Sequence, residues 1–106
     1  MTIDEKIEKP LLDLGLVKGY ADYIKQYYRL PSMDFHLIWV YYEDGRCSVP
    51  NDLYGMDGSI VTSVGTRSFN TVSDAIPHLK YLIKKHKELK VKLKRRAIEQ
   101  DFEDEF

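Results

Sequence analysis

Segment 35–42 restricts the fold of this 106-residue sequence more than any other, because it reads as a strand with apolar side chains on both faces. It is rich in the aromatic and β-branched residues that favour strands. Side chains alternate between the two faces of a strand. One face carries Phe35, Leu37, Trp39 and Tyr41, and the other carries His36, Ile38, Val40 and Tyr42. Such a strand is predicted to be central in its sheet and covered on both sides by helices or by a partner chain.

Two further strands follow, so the sequence predicts a three-stranded antiparallel sheet. Asp44-Gly45 is a hairpin turn signal, and it returns the chain through a second strand, residues 46–49, which Pro50 ends. Residues 51–58 are predicted to form a polar loop that contains glycine. Residues 59–64 are rich in β-branched side chains and predict the third strand.

Two short helices are predicted before the sheet. Thr2 and Glu5 have the spacing of a capping box, and Pro10 is expected to divide the helical stretch that follows. The apolar residues of this stretch recur at helical spacing: Ile3, Ile7, Leu11 and Leu14. A second helix is predicted after Gly19, ending before Pro31. Its apolar face consists of Tyr20, Tyr23, Ile24, Tyr27 and Tyr28.

A long helix is predicted at the C-terminal end, after a connection over residues 66–71. Ser73 or Asp74 is its expected cap, which places Pro77 in the first turn, where the missing N–H does no harm. Its apolar residues form one stripe: Val72, Ala75, Ile76, Leu79, Leu82, Ile83, His86, Leu89, Leu93 and Ala97.

The predicted fold is therefore α+β, with two short N-terminal helices, a three-stranded antiparallel sheet and a long C-terminal helix. Residues 1–98 are predicted to form one domain, and residues 99–106 an acidic, aromatic C-terminal tail. If the helices lie on one face of the sheet, the other face is an exposed aromatic patch, which would be a binding or dimer surface.

Few residue patterns in the sequence suggest chemistry. Cys47 is the one cysteine, which excludes an internal disulfide and a paired-thiolate metal site. His36 and His86 are expected to be packed, and His78 lies too far from His86 to share a metal. We therefore predict a protein that is not an enzyme and that has no metal or cofactor. The N-terminus does not resemble a secretion signal and no apolar run is long enough to span a membrane, so a cytoplasmic location without membrane contact is predicted.

Charge is distributed very unevenly along the chain, although the net charge is only −1. Residues 80–96 contain nine bases and one acid, residues 99–106 contain five acids and no base, and residues 1–79 have a net charge of −4. The basic segment is either the solvated back of an amphipathic helix or a surface that contacts phosphates. The residues predicted to bind nucleic acid or a partner are Lys84, Lys87, Lys92, Lys94, Arg95 and Arg96.

The acidic tail combines carboxylates with two phenylalanines. Residues 101–106 read Asp-Phe-Glu-Asp-Glu-Phe, and this segment resembles the C-terminal tips of bacterial and phage single-stranded-DNA-binding proteins. The resemblance implies a tail that docks on partner proteins and competes with nucleic acid for a basic groove, although the five-stranded barrel of that family is not predicted here. Independently of the resemblance, its carboxylates are expected to mask the basic helix at low salt. Phe102 and Phe106 would anchor it.

The middle of the chain, residues 38–76, resembles the HicB-like antitoxin family. The resemblance rests on Ile-Trp-Val-Tyr-Tyr-Glu-Asp-Gly-Arg-Cys-Ser-Val-Pro at 38–50, Asp-Leu-Tyr-Gly at 52–55 and Thr-Val-Ser-Asp-Ala-Ile at 71–76. It implies the order strand, strand, strand, helix, and a function as an antitoxin. The chain departs from the family pattern by Asn51 after the proline, by a longer third-strand region and by the two helices predicted in front.

Two classes of function follow from these patterns. The first is a non-catalytic module that acts on nucleic acid, or on a nucleic-acid-processing complex, through the basic helix and is modulated by the tail. The second is a protein-binding regulator or inhibitor, antitoxin-like or encoded by a phage or mobile element. It would act through an aromatic surface, because Tyr and Trp are favoured anchors at interfaces. Its interaction residues would be Tyr20, Tyr27, Trp39, Phe102 and Phe106, and a second copy of the chain is a further candidate partner.

Overall fold

The structure is a computed structural model that describes the backbone of residues 2–104 and the side chains of residues 2–95. Within these residues the chain forms two helices and seven strands: α1 (Glu5–Asp13), β1 (Val17–Ala21), β2 (Lys25–Arg29), β3 (Ile38–Tyr41), β4 (Cys47–Pro50), β5 (Leu53–Met56), β6 (Ser59–Thr62), β7 (Thr66–Phe69) and α2 (Val72–Asp104). The α+β class and the long C-terminal helix are confirmed. The three-stranded sheet and the second N-terminal helix are wrong.

The strands form a five-stranded sheet in the order β1-β2-β3-β4-β7, with every neighbouring pair antiparallel, and a separate β5–β6 hairpin. The predicted central position is confirmed, since β3 is third of five, but the strand covers Ile38–Tyr41 rather than residues 35–42. Before it the predicted alternation fails, because Leu37 is buried in the core while His36 lies against Tyr27 on the opposite face.

The Asp44-Gly45 turn joins β3 to β4: Gly45 adopts a left-handed φ of 73° and its N–H bonds to the carbonyl of Tyr41. The tight turn requires this conformation, which glycine adopts without a Cβ penalty.

The predicted tyrosine-rich helix is instead the hairpin β1–β2. The Asp22 side chain accepts hydrogen bonds at 2.8 Å from the N–H groups of Ile24 and Lys25, which fixes a turn where a helix was expected. The side-chain amide of Gln26 then donates to carbonyls of both strands, including Gly19 O at 3.2 Å. Aromatic residues favour strands, and this turn allows the tyrosines to alternate between two faces.

Two segments predicted to be connections contain strands. Residues 51–58 include β5, which turns back into β6 through Asp57 and Gly58, both at positive φ as in a type I′ turn. Residues 66–71 include β7, an edge strand that pairs with β4. The cap of α2 also differs from the prediction. The Thr71 hydroxyl accepts the Asp74 N–H at 3.2 Å, so the helix begins at Val72 and Pro77 lies in its second turn.

Both helices pack on one face of the sheet, the inner face. Fully or nearly fully buried side chains form this core: Leu11 of α1, Leu79 and Leu82 of α2, and Tyr28, Ile38, Val40, Cys47 and Val49 of the sheet. The hydroxyl of Tyr28 donates to the Glu8 carboxylate at 2.6 Å, which ties β2 to α1. Among the residues that the structure describes, no element covers the outer face, so cover of β3 by helices on both sides is wrong. The outer face is open, as expected for helices that share one face of the sheet, and cover by a partner chain stays a prediction.

The molecule is long and narrow, at 59 × 22 × 20 Å. The 33 residues of α2 account for this shape, because at 1.5 Å per residue they span about 50 Å. The β5–β6 hairpin lies along α2 as far as Arg95. The part of α2 that extends beyond the rest of the molecule is therefore shorter than it would be beside a three-stranded sheet.

Candidate functional site: a basic helical face and an aromatic sheet face

The outward side of α2 carries a row of positive charge. The exposed side chains of Lys80, Lys84, Lys87, Lys94 and Arg95 fall within an arc of about 100° of the helix circumference, and we call this set the basic face. It lies on the side of the helix away from Leu79 and Leu82, which are buried in the core. The amphipathic pattern of the sequence therefore fixes its direction, since burying Leu79 and Leu82 turns the lysines toward solvent.

The basic face is not neutralised by carboxylates in the described part of the chain. Among side chains 2–95 the structure has three ion pairs, and the one that involves α2 joins Lys85 to Asp52 at 2.8 Å. Lys85 lies off the basic face. The hydrogen bond from Lys85, more than any other interaction, lowers the pKa of Asp52, and Tyr81 also donates to this carboxylate at 3.0 Å. This pair fastens the base of the β5–β6 hairpin to α2.

The structure divides the predicted nucleic-acid-binding residues into three groups. Lys84, Lys87, Lys94 and Arg95 lie together on the basic face. Lys92 is turned toward the β5–β6 hairpin, and the Arg96 side chain lies outside the described residues. Lys80 belongs to the basic face but was not predicted as a site residue. Its four-residue spacing from Lys84 is the sequence signal that would have included it.

A groove runs between the β5–β6 turn and α2. It has a volume of about 420 Å³, and its lining residues are Gly55, Met56, Asp57, Gly58, Leu89, Lys92, Leu93 and Arg95. Leu89, Leu93 and Met56 give it an apolar floor, while Lys92 and Arg95 make one edge cationic. The groove brings Lys92 next to an end of the basic face, on the side of the helix that carries the hairpin.

The outer face of the sheet carries a cluster of aromatic rings, which we call the aromatic face: Tyr20, Tyr27, His36, Trp39 and Tyr41. Ring centroids of Tyr20 and Tyr27 lie 5.6 Å apart, and those of Tyr27 and Trp39 lie 5.8 Å apart. The strand register places Tyr27 directly opposite Trp39. The structure therefore brings together three of the residues predicted for protein interaction. The other two, Phe102 and Phe106, lie outside the residues with described side chains.

His36 holds the edge of the aromatic face in place. Its Nε2 atom accepts a hydrogen bond from the backbone N–H of Tyr20 at 3.3 Å, and its ring lies 4.8 Å from that of Tyr27. Burial, and to a lesser degree the charge of Arg29, lowers the pKa of His36. A neutral ring is what the contact requires, because a protonated Nε2 cannot accept the Tyr20 N–H.

Lys25 completes the aromatic face with a positive charge. Its amino group lies 5.4 Å from the ring centroid of Tyr27 and 5.6 Å from that of Tyr41, within the range of cation–π attraction. The row of outward residues continues across β4 and β7 as Ser48 and Ser68, whose hydroxyls are 3.3 Å apart.

The described residues contain no cluster that suggests catalysis or metal binding. No group of three His, Cys, Asp or Glu side chains in that part of the chain is arranged to hold a metal ion. Cys47 is buried, and burial raises the pKa of its thiol to about 11. His78 bonds to the carbonyl of Pro50 at 2.8 Å, and His86 packs edge-on against Phe35. Neither helix, over the residues described, has the length and apolar character needed to cross a bilayer.

Comparison with known proteins adds no family. The chain matches no protein-family model. No curated protein and no solved structure shows significant similarity to it. The resemblances to HicB-like antitoxins and to single-stranded-DNA-binding tails stay predictions, and function has to be inferred from the basic face and the aromatic face.

Proposed function

We propose that this protein is a non-catalytic binding module that contacts nucleic acid, directly or within a nucleic-acid-processing complex, through the basic face of α2. One observation carries the proposal. Five exposed bases share one side of a rigid helix, and no carboxylate of the described side chains pairs with them. A row of cations that no described side chain neutralises is free to replace the counterions of a phosphate backbone.

The dimensions of the basic face suit a polyanion. Lys80 and Arg95 are separated by about 22 Å along the helix axis. One strand of a B-form duplex carries a phosphate about every 3.4 Å, so the basic face can lie beside about six phosphates of one strand. Lysine binds phosphate as a flexible point charge rather than through a fixed geometry. The proposed contact is therefore independent of the nucleotide sequence, and its affinity falls strongly as the salt concentration rises.

The acidic tail is the proposed modulator of this contact. Because α2 continues to Asp104, residues 99–104 form its last turns and lie further along the helix axis than the basic face. Asp101 is 14 residues beyond Lys87, or about 21 Å, so the tail cannot fold over Lys87 while it is helical. Its effect on an incoming polyanion would then be repulsion close to Arg95, unless the last turns unwind.

Reversing two charges on the basic face is expected to weaken binding to labelled oligonucleotides. The variant Lys84→Glu/Lys87→Glu should lose about tenfold to a hundredfold in affinity at low salt. The slope of log affinity against log salt should fall by about two. The measurement is fluorescence anisotropy at several salt concentrations, with circular dichroism to verify that the helix is intact.

The matched control is Lys6→Glu/Lys9→Glu in α1. Both residues are exposed and have the same three-residue spacing, so the change in net charge is identical. It should leave affinity within about twofold, because only residues near the ligand release counterions. Equal losses in the two variants would mean that net charge alone governs binding and would refute a specific role for α2.

Neutralising the tail is expected to strengthen binding at low salt. In Asp101→Asn/Glu103→Gln/Asp104→Asn/Glu105→Gln we expect an increase of about threefold to tenfold, which should vanish as salt shortens the Debye length. Four exposed acids elsewhere serve as the control: Glu5→Gln, Asp13→Asn, Asp34→Asn and Glu43→Gln. If both quadruple variants bind alike, self-inhibition by the tail is wrong, while phosphate binding by α2 is unaffected.

A further inference from the structure

The five-stranded sheet contains no acidic residue. Strands β1, β2, β3, β4 and β7 include Lys18, Lys25, Arg29 and Arg67 but neither Asp nor Glu. This is notable because the whole chain has 17 acids and 16 bases. The acids lie instead in the helices, the turns and the tail. The outer face therefore carries two of these bases, Lys25 and Arg29, beside the aromatic rings, and no acid. Lys18 and Arg67 face the inner side of the sheet, where Lys18 pairs with Glu8.

The rings on this face are arranged in a row across neighbouring strands. Tyr20, Tyr27 and Trp39 belong to β1, β2 and β3, and successive centroids are separated by less than 6 Å. Tyr20 is 61% exposed, whereas Tyr27 and Trp39 are half-buried and so are held by their neighbours. Lys25 lies beside the row with its amino group close to two rings. The hydroxyls of Ser48 and Ser68 extend the row with polar groups.

We infer that the aromatic face binds single-stranded nucleic acid, with unpaired bases stacked on Tyr20, Tyr27 and Trp39 and with the phosphate backbone passing near Lys25. Aromatic platforms beside cations are the common way in which proteins hold single strands without reading sequence. A duplex does not fit, because its bases are already stacked and paired. The absence of acid from the sheet favours this polyanionic ligand over a basic or neutral protein surface.

This inference rests on the proposed function for the class of ligand, but it places a second contact on the side of the molecule opposite α2. It also restricts the ligand to single-stranded nucleic acid, whereas a helical row of lysines would bind single and double strands alike. Nucleobases would stack on the rings of the sheet, and phosphates would contact the lysines of α2. The two contacts can therefore be removed separately.

The test uses Trp39, the single tryptophan of the chain, as a reporter. A single-stranded homopyrimidine oligonucleotide of about ten nucleotides should quench Trp39 fluorescence. A duplex of the same length and heparin, which has no bases, should bind without quenching. Tyr20→Leu should weaken single-strand binding by about tenfold, whereas Tyr20→Phe, which keeps the ring, should bind like the parent. Tyr54→Leu, an exposed tyrosine on β5, is the control for loss of a surface ring.

The outcomes separate the two proposals. Single-strand binding that neither quenches Trp39 nor responds to Tyr20→Leu overturns the stacking inference and leaves the proposed function of α2 standing. Quenching that persists in Lys84→Glu/Lys87→Glu with unchanged affinity overturns the role of α2 and supports stacking. If no oligonucleotide quenches Trp39, and size-exclusion chromatography shows a dimer that Tyr20→Leu dissociates, the aromatic face binds a second copy and the inference is wrong.

Discussion

Replacing Leu82 with alanine is expected to lower the free energy of unfolding by about 2 to 5 kcal/mol. Leu82 is fully buried, and it lies in the stripe through which α2 contacts the rest of the core. The truncation removes apolar contacts and leaves a cavity that neighbouring side chains fill only in part. Since small domains are stable by only about 5 to 15 kcal/mol, this loss is a large share of the total. Chemical denaturation with linear extrapolation measures it.

Val91→Ala is the control on the same helix. Val91 is 53% exposed, so its truncation leaves no buried cavity. Alanine also has a higher helix propensity than valine. We expect a change within about 0.5 kcal/mol. Similar losses for Leu82→Ala and Val91→Ala would contradict the orientation of α2 and, with it, the outward direction of the basic face.

Gly19→Ala is expected to destabilise the protein by about 1 to 3 kcal/mol and to disturb the aromatic face. A Cβ atom on Gly19 would lie 2.6 Å from Nε2 and 2.7 Å from Cδ2 of His36. The ring avoids this clash by moving away from Gly19, which lengthens or breaks its hydrogen bond from the Tyr20 N–H and shifts it against Tyr27. Denaturation measures the cost, and the fluorescence of Trp39 reports the movement of neighbouring rings.

Two further variants isolate this cause. Gly55→Ala is the matched change in another strand, where the added Cβ meets Leu93 at 3.9 Å, an ordinary contact. It should be neutral or slightly stabilising, because alanine costs less backbone entropy than glycine. In the background of His36→Ala, replacing Gly19 with alanine should cost almost nothing, since the ring is gone. An undiminished loss in that background would show that the clash with His36 is not the cause.

The parts of the fold that the sequence predicts correctly have strong local signals. The apolar stripe of α2 extends over seven turns, and the Asp44-Gly45 turn has a well-defined chemistry, so both appear where expected. The β1–β2 hairpin was missed because Tyr20, Tyr23, Ile24 and Tyr27 match helical spacing, while the turn depends on one side chain, Asp22. Strands β5 and β7 were missed because they are short and mostly exposed, which hides the alternation of apolar residues.

The two candidate surfaces also differ in how strongly local residue patterns indicate them. The basic face follows from spacing along one helix, so four of its five members were predicted. The aromatic face depends on register between strands: Tyr27 meets Trp39 because β2 pairs with β3, and no spacing in the sequence specifies that pairing. His36 joins the cluster through the close approach of a glycine backbone, which only coordinates reveal. Long-range pairing is therefore what residue patterns could not supply.

The insertion of the β5–β6 hairpin between β4 and β7 has a kinetic consequence. Every other pairing in the large sheet joins strands that are consecutive in the chain, whereas pairing of β7 with β4 must close a loop over residues 51–65. Local hairpins form within microseconds, and the closure adds an entropic barrier that grows with loop length. We therefore expect β7 to join the sheet last during refolding and its amides to exchange with solvent first under native conditions.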